Sequence, residues 1–377
     1  MLPNRLLVKT FPVIRIYCPY FSEESLSRQS RYFVNALFKH KTVALYPTSV
    51  VEAINTMPFE ASSMISNQSL TSDNCLALGI GPIPNMRNMC GAPRIAFIVW
   101  ETTLIDDGTR SILNKMDEIW ITTEWGRAIL VSNGFSSKKI KIVPLGADPN
   151  IFKPETFAGR KFKRGAFRFL CVGKWEKRKG ITDLILAFCD EFHPGEQVEL
   201  ILHCHNKNIR YFSMESEISR IDLPAHAPII PTCPLSESGL VALYNSCDAF
   251  VLPTKAEGWG LPITEAMACA LPVIVTDYSA PTAYVNLENG FLIQVAGMVK
   301  AKDIHAYKRA DHGYWAQPDI AHLKFLMRYV FEHPEEARQK GARARQDIVN
   351  KWTWDHAAQK AVVHLSKYEQ ASRLVLK

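Results

Sequence analysis

The sequence has no Cys-x-x-Cys pair, no internal repeat and no low-complexity tract. Nor does it contain a run of about 18 apolar residues, which excludes a membrane-spanning helix. Its nine cysteines, at 18, 75, 90, 171, 189, 204, 233, 247 and 269, lack the spacing of a structural zinc site. Their odd count and apolar neighbours, as in Phe169-Leu170-Cys171-Val172, read as buried free thiols in a reducing compartment. No apolar core follows Met1, so a secretory leader is not expected and the cytoplasm is the expected compartment. Charge of one sign is not concentrated either. Lys+Arg number 44 and Asp+Glu 37, a formal net charge of +7. That falls short of the basic stripe of a dedicated nucleic-acid binder. It favours anionic partners such as phosphates or an acidic membrane surface.

What is present is an ordinary globular balance, 47% hydrophobic and 21% charged over 377 residues. At roughly 150 residues per domain, that length predicts two or three domains. Strands and helices alternate along the first half. Strands are expected at 13–17, 43–46, 94–100, 118–121 and 140–143, and helices at 24–39, 108–116 and 124–133. Residues 55–93, rich in Asn, Ser, Pro and Met, give no clear pattern. Turn and linker signals then fill 146–168, including the basic stretch Arg160–Gly165. The alternation restarts with strands at 167–172, 198–203, 249–252 and 271–276 and helices at 180–191, 236–246 and 262–270. A helical stretch closes the chain from about 318 to 370. Two Rossmann-like domains facing each other are expected, with ligands beyond the C-terminal ends of the strands.

The most informative string is Glu257-Gly-Trp-Gly-Leu-Pro-Ile-Thr-Glu265-Ala-Met-Ala-Cys-Ala-Leu-Pro-Val-Ile. A strand ends at Leu252, a loop with Gly258 and Gly260 follows, and a helix opens near Pro262. Free N–H groups at a helix start favour an anion, and the glycines allow close backbone approach. Taken singly, Glu257 reads as a solvated loop residue and Glu265 as a first-turn carboxylate placed by the helix dipole. Nothing in packing, however, requires the string as a whole. A second string, Gly173-Lys174-Trp-Glu-Lys-Arg-Lys179-Gly180, repeats the order strand, glycine turn, helix. Lys174 and Lys179 flank the loop and suit an anionic diphosphate, whereas Lys177 and Arg178 read as surface charges. His203 and His205 share a strand face, but with no third ligand nearby in sequence a packing or surface role is expected. Helix 24–39 carries Arg28, Arg31 and Lys39 and reads as a solvated face, with contact to an anionic membrane as the alternative. Trp315-Ala-Gln-Pro318 lies near the cleft or in the core.

With these strings in view, the chain resembles the GT-B glycosyltransferases, in particular the retaining family 4 group. That group carries a Gly-Arg/Lys…Lys-Gly loop and an E-x7-E segment of the form EG(F/W)GLPxxEAMACGxPVI. Val143-Pro-Leu-Gly-Ala-Asp148…Phe152-Lys-Pro154 and Trp352-Thr-Trp354-Asp…Ala357-Ala358 match as well. The resemblance covers about residues 95–365. It implies an N-terminal acceptor-side domain over 1–155 and a nucleotide-sugar-binding domain over 166–350. The segment 351–377 would pack back on the first domain. It implies transfer of a hexosyl unit, from a GDP-mannose or UDP-hexose type of donor, to a hydroxyl of a saccharide or glycoconjugate, with retention of configuration. No cofactor or metal is expected, since the diphosphate charge would be met by Lys174, Lys179 and a helix start. By position, Glu257 would contact sugar hydroxyls and Glu265 the ribose. Gly173, Gly258, Gly260 and Leu261 would line the donor.

Two departures stand out. Phe21-Ser-Glu-Glu-Ser25-Leu-Ser27-Arg28 has serines where the group often has a glycine-rich loop. Val99-Trp100-Glu101-Thr102-Thr103 has a glutamate where many members carry a histidine. Glu101 is a candidate catalytic contact to the acceptor or sugar, or a cap for the segment that follows. The alternatives to a transferase are a nucleotide-sugar epimerase, against which the E-x7-E string argues, and a catalytically silent GT-B scaffold.

Overall fold

The computed structural model describes residues 13–20, 25–48, 75–155, 165–224, 227–302 and 311–375. The serine loop at 21–24, most of the unpatterned stretch at 55–93 and the basic linker at 160–164 lie outside them.

The first unit runs β1 (Ile14–Cys18), α1 (Ser25–Phe38), β2 (Val43–Pro47), β3 (Ala77–Ile80), β4 (Arg94–Ile98), α2 (Asp107–Leu113), β5 (Glu118–Ile121), α3 (Glu124–Ser132) and β6 (Ile140–Ile142). Its strands form one parallel sheet in the order β2-β1-β3-β4-β5-β6. Helix boundaries follow local chemistry. Asp106 caps α2 by accepting from the Thr109 N–H, and Thr123 caps α3 by accepting from Gly126.

The second unit runs β7 (Phe167–Val172), α4 (Ile181–Glu191), β8 (Val198–His203), α5 (Met214–Ser219), β9 (Ile229–Pro231), α6 (Glu237–Ser246), β10 (Ala249–Leu252), α7 (Leu261–Ala268), β11 (Val273–Thr276) and β12 (Phe291–Ile293). Its strand order is β12-β11-β10-β7-β8-β9, all parallel. All four residues of β10 and of β11 are buried. That is the continuous apolar strand expected when helices cover both sheet faces. The chain winds outward from β7 to β9, then returns to the middle and winds the other way from β10. The reversal falls between β7 and β10, where such sheets leave a crevice at their C-terminal ends.

Two features depart from the sequence-based reading. After β12 the chain makes an antiparallel hairpin, β13 (Val295–Lys300) with β14 (Tyr314–Pro318). The closing stretch is three helices, α8 (Ile320–Glu332), α9 (Pro334–Lys351) and α10 (Trp354–Val375). Pro334 accounts for one break, since it suits only a first helical turn. Helix α10 packs on the first unit. The Trp354 ring stacks on Tyr32 at 5.6 Å, and Lys39 meets Asp355 at 3.1 Å. Lys367 pairs with Glu118, a buried carboxylate of β5.

Candidate donor site between the two sheets

The two strings singled out in the sequence follow β7 and β10, the strands on either side of the reversal. The loop after β7 makes a 3₁₀ turn at Lys177–Lys179, and the loop after β10 leads through Glu257 to Gly260 and α7. Lys179 runs alongside Gly173 and places its Nζ 2.6 Å from Glu257 Oε1. Both residues are buried, at 7% and 2% exposure. The hydroxyl of Thr254 lies 2.9 Å from the same carboxylate oxygen, and the Glu257 N–H donates to Ser279 Oγ at 2.8 Å. Burial pushes the Glu257 carboxyl up, but Lys179 and Arg178 outweigh it and hold it below the usual carboxylate range. Desolvating two charges costs about as much as their attraction returns. A buried pair in a cleft is therefore a better sign of function than of stability.

Arg178 is not a surface charge. It is 9% exposed and sits among three carboxylates. One guanidinium nitrogen is 3.1 Å from Glu101 and 3.2 Å from Glu176; the other is 3.4 Å from Glu257 and donates to the Ala256 carbonyl at 2.6 Å. Glu101 belongs to the first unit, so this guanidinium joins the two sheets. Burial of the cleft, with repulsion from Glu257, raises the Glu101 carboxyl above its usual range despite Arg178. Runs of basic residues usually read as solvated. The signal that distinguishes Arg178 from Lys177 is three-dimensional: the 3₁₀ turn leaves Lys177 exposed and buries Arg178 and Lys179.

Gly258 and Gly260 are placed as the loop requires. A Cβ on Gly258 would lie 2.8 Å from the Val99 side chain and 3.0 Å from the Trp100 nitrogen, so the loop presses directly on the first unit. Its carbonyl accepts from the Thr122 hydroxyl across the cleft. Gly260 has φ +95° at the start of α7, a conformation only glycine adopts without strain. Ile263 and Thr264 donate to the Gly260 carbonyl, whereas the N–H groups of Gly260 and Leu261 have no acceptor among the described residues. They stand ready for an anion.

Glu265, 3% exposed, is buried in α7. It accepts from Arg28 of α1 at 2.6 Å and from the Tyr244 hydroxyl at 3.1 Å. Burial raises its carboxyl despite Arg28. Arg28 is thus a cleft residue and not part of a solvated face. Arg31 of α1 and Lys39 just after it are also engaged within the chain, Arg31 with the Tyr20 carbonyl and Lys39 with Asp355. Lys174 is half-buried and has no partner among the described residues. His203 and His205 do not form a metal pair. Each holds Thr232, His203 at the hydroxyl and His205 at the carbonyl, both at 2.7 Å. No three His, Cys, Asp or Glu side chains gather to hold a metal ion among the described residues.

Residues 152–310 match the model of the glycosyl transferases group 1 family. The chain has the GT-B glycosyltransferase fold. It aligns over 95% of its length with all of Anabaena HepE solved in complex with UDP-glucose, with a TM-score of 0.71 and 15% identity. It aligns over 96% of its length with all of the sucrose-phosphate synthase of Thermosynechococcus elongatus, with a TM-score of 0.70 and 16% identity. In sequence it is 25% identical over 238 residues to a D-inositol 3-phosphate glycosyltransferase of Corynebacterium jeikeium, 59% of this chain and 51% of that protein. The chain thus spans about half the length of that curated relative. No described helix of this GT-B chain is long and apolar enough to cross a membrane.

Proposed function

We propose that this GT-B chain is a retaining glycosyltransferase that moves a hexosyl unit from a nucleotide diphosphate sugar to a hydroxyl of a saccharide or glycoconjugate. The observation that carries the reading is the Lys179–Glu257 pair, 2.6 Å apart and buried, on the loop that leads to the Gly260 and Leu261 N–H groups, which have no acceptor among the described residues. A GDP-mannose or UDP-hexose type of donor is favoured. HepE, which shares the fold, was solved with UDP-glucose. In this reading residues 1–155 form the acceptor side and 166–350 the donor side, and 351–377 close back on the first domain.

Breaking the anomeric C–O bond places negative charge on the leaving diphosphate and positive charge on the sugar ring. Lys174, Lys179 and the start of α7 would meet the leaving charge. Glu257 would exchange part of its bonding to Lys179 for sugar hydroxyls, and its lowered pKa keeps it an acceptor at neutral pH. Glu265 would take ribose hydroxyls while Arg28 holds its charge. The departing phosphate oxygen would accept the acceptor's proton on the same face, so no carboxylate nucleophile is required. Cations and a helix start do the work that a divalent ion does elsewhere, and the reaction is read as metal-independent.

The test is a thermal-shift and donor-hydrolysis panel with GDP-, UDP- and ADP-sugars on wild type and Lys179→Ala. A ligand that binds only the native state raises its melting temperature. Stabilisation by one nucleotide class, lost in the variant, is the expected result. Binding without hydrolysis or transfer to any acceptor would point instead to a silent scaffold. That second reading draws on the pairing of both glutamates, Glu257 with Lys179 and Glu265 with Arg28.

A further inference from the structure

The β13–β14 hairpin interrupts an otherwise parallel unit, and it docks on the short segment of the other domain that carries Glu101. Three hydrogen bonds make the contact. The Trp315 indole N–H donates to the Glu101 carbonyl at 2.9 Å, the Tyr314 N–H to the Thr103 hydroxyl at 2.8 Å, and the Leu104 N–H to the His312 carbonyl at 3.1 Å. Gly313 makes this approach possible. Its φ is +76°, and a Cβ there would lie 2.2 Å from Thr103 Oγ1 and 3.0 Å from the Leu104 side chain. The hairpin is tied equally to the loop that carries Glu257. The Ala316 N–H donates to the Lys255 carbonyl at 3.0 Å, and Trp315, 4% exposed, packs with Ala256 and Ala301.

We propose that Trp315 is a positioning residue for the donor site, acting through Glu101. The Glu101 carbonyl has no other hydrogen-bond donor among the described residues. From its own domain the segment is held further along, where Asn133 binds the Thr103 carbonyl and the Ile105 N–H, both at 3.0 Å. Trp315 therefore sets the backbone at Glu101 itself. With that carbonyl fixed, the Glu101 carboxylate meets Arg178 at 3.1 Å, and Arg178 reaches Glu257 at 3.4 Å. The relay Trp315, Glu101, Arg178, Glu257 runs from the hairpin to the residue proposed to hold the sugar. An aromatic ring alone would fill the hydrophobic space, so the indole N–H is the part of Trp315 that packing does not explain. This role rests on the proposed transferase reading.

The test is Trp315→Phe, which keeps the ring and removes the N–H. In hydrolysis of whichever of UDP-glucose, GDP-mannose and ADP-glucose wild type turns over, kcat falls by about 10- to 100-fold, as for a small misplacement of a site group, while donor KM stays within about twofold. In a Glu101→Ala background the same substitution has little further effect, because the residue it acts through is gone. Gly313→Ala, which forces the hairpin off Thr103, reproduces both results and serves if Trp315→Phe does not fold. Wild-type turnover in Trp315→Phe, or an equal loss with and without Glu101, overturns the role and leaves the transferase reading standing. A wild type that turns over no donor overturns both.

Discussion

Arg28 of α1 and Glu265 of α7 meet at 2.6 Å across the cleft, although 237 positions separate them in sequence. Their contact makes the carboxylate assigned to the ribose part of the boundary between the two domains. Tyr32, one helical turn further along α1, makes a second crossing by donating to Glu237 of α6.

Arg28→Ala therefore leaves Glu265 buried with, among the described residues, the Tyr244 hydroxyl alone. Stability should fall by about 3 kcal/mol, the cost of stranding one partner of a buried ion pair. Urea unfolding measures it. Arg28→Ala with Glu265→Ala should be less damaged than Arg28→Ala alone, since no charge is then stranded. A double variant that simply sums the two losses would refute the pairing.

Glu257→Ala should lower transfer by about 100-fold or more, on the scale of losing one preorganised hydrogen-bonding group at the reacting centre. Its far-UV circular dichroism should match wild type. Near-normal turnover would remove Glu257 from the sugar-holding role.

The metal-independent reading makes a separate claim. EDTA should leave transfer unchanged within about twofold, because Lys174, Lys179 and the start of α7 carry the leaving-group charge. Activity lost on chelation and restored by a divalent ion would show that those groups are insufficient.

His203 gives the pH dependence. Burial pulls its imidazole down to about 4, helped by repulsion from His205 and Arg28. The Thr232 hydroxyl donates to the Leu202 carbonyl, so it accepts from His203 Nδ1–H, a bond that both ring forms can make, and burial sets the direction of the shift. The unfolded chain binds a proton there near the ordinary value of about 6.5, and the folded chain does not until about pH 4. The stabilising contribution is present above pH 6.5 and is lost as pH falls through this window. Urea midpoints of wild type should drop between pH 6.5 and 4, and those of His203→Asn should drop less. Parallel pH curves would show that another group dominates.

Much of this architecture was legible in the chain because parallel strands buried on both faces read as plain apolar runs. Ala249–Leu252 and Phe169–Val172 are such runs, and the glycine strings that follow them mark the crevice. The hairpin was not legible. Val295-Ala-Gly-Met-Val299 is a short apolar run, yet Val295 to Met298 are exposed, so the strand is not the buried one that such a run suggests. The partners of the site residues were not legible either, because Arg28–Glu265 and Arg178–Glu101 join residues that only the packing of two domains brings together. A basic residue in a loop has no local property that reports a carboxylate from another sheet.

Arg178 and Lys177 are the sharpest case, since they are adjacent and alike in charge. Lys177 is exposed, while Arg178 is enclosed by Glu101, Glu176 and Glu257. Lys177→Ala should change stability by no more than about 0.5 kcal/mol, as surface substitutions do. Arg178→Ala removes the one planar cation shared by three carboxylates and leaves them to repel one another, so a loss of about 3 kcal/mol or more is expected. Arg178→Lys should recover only part of it, because a single ammonium cannot reproduce a fork that reaches Glu101 with one nitrogen and the Ala256 carbonyl with the other. Urea unfolding of the three variants beside wild type decides the matter. Equal, small effects at 177 and 178 would mean that the guanidinium is solvated and that Glu101 is held in place by the hairpin alone.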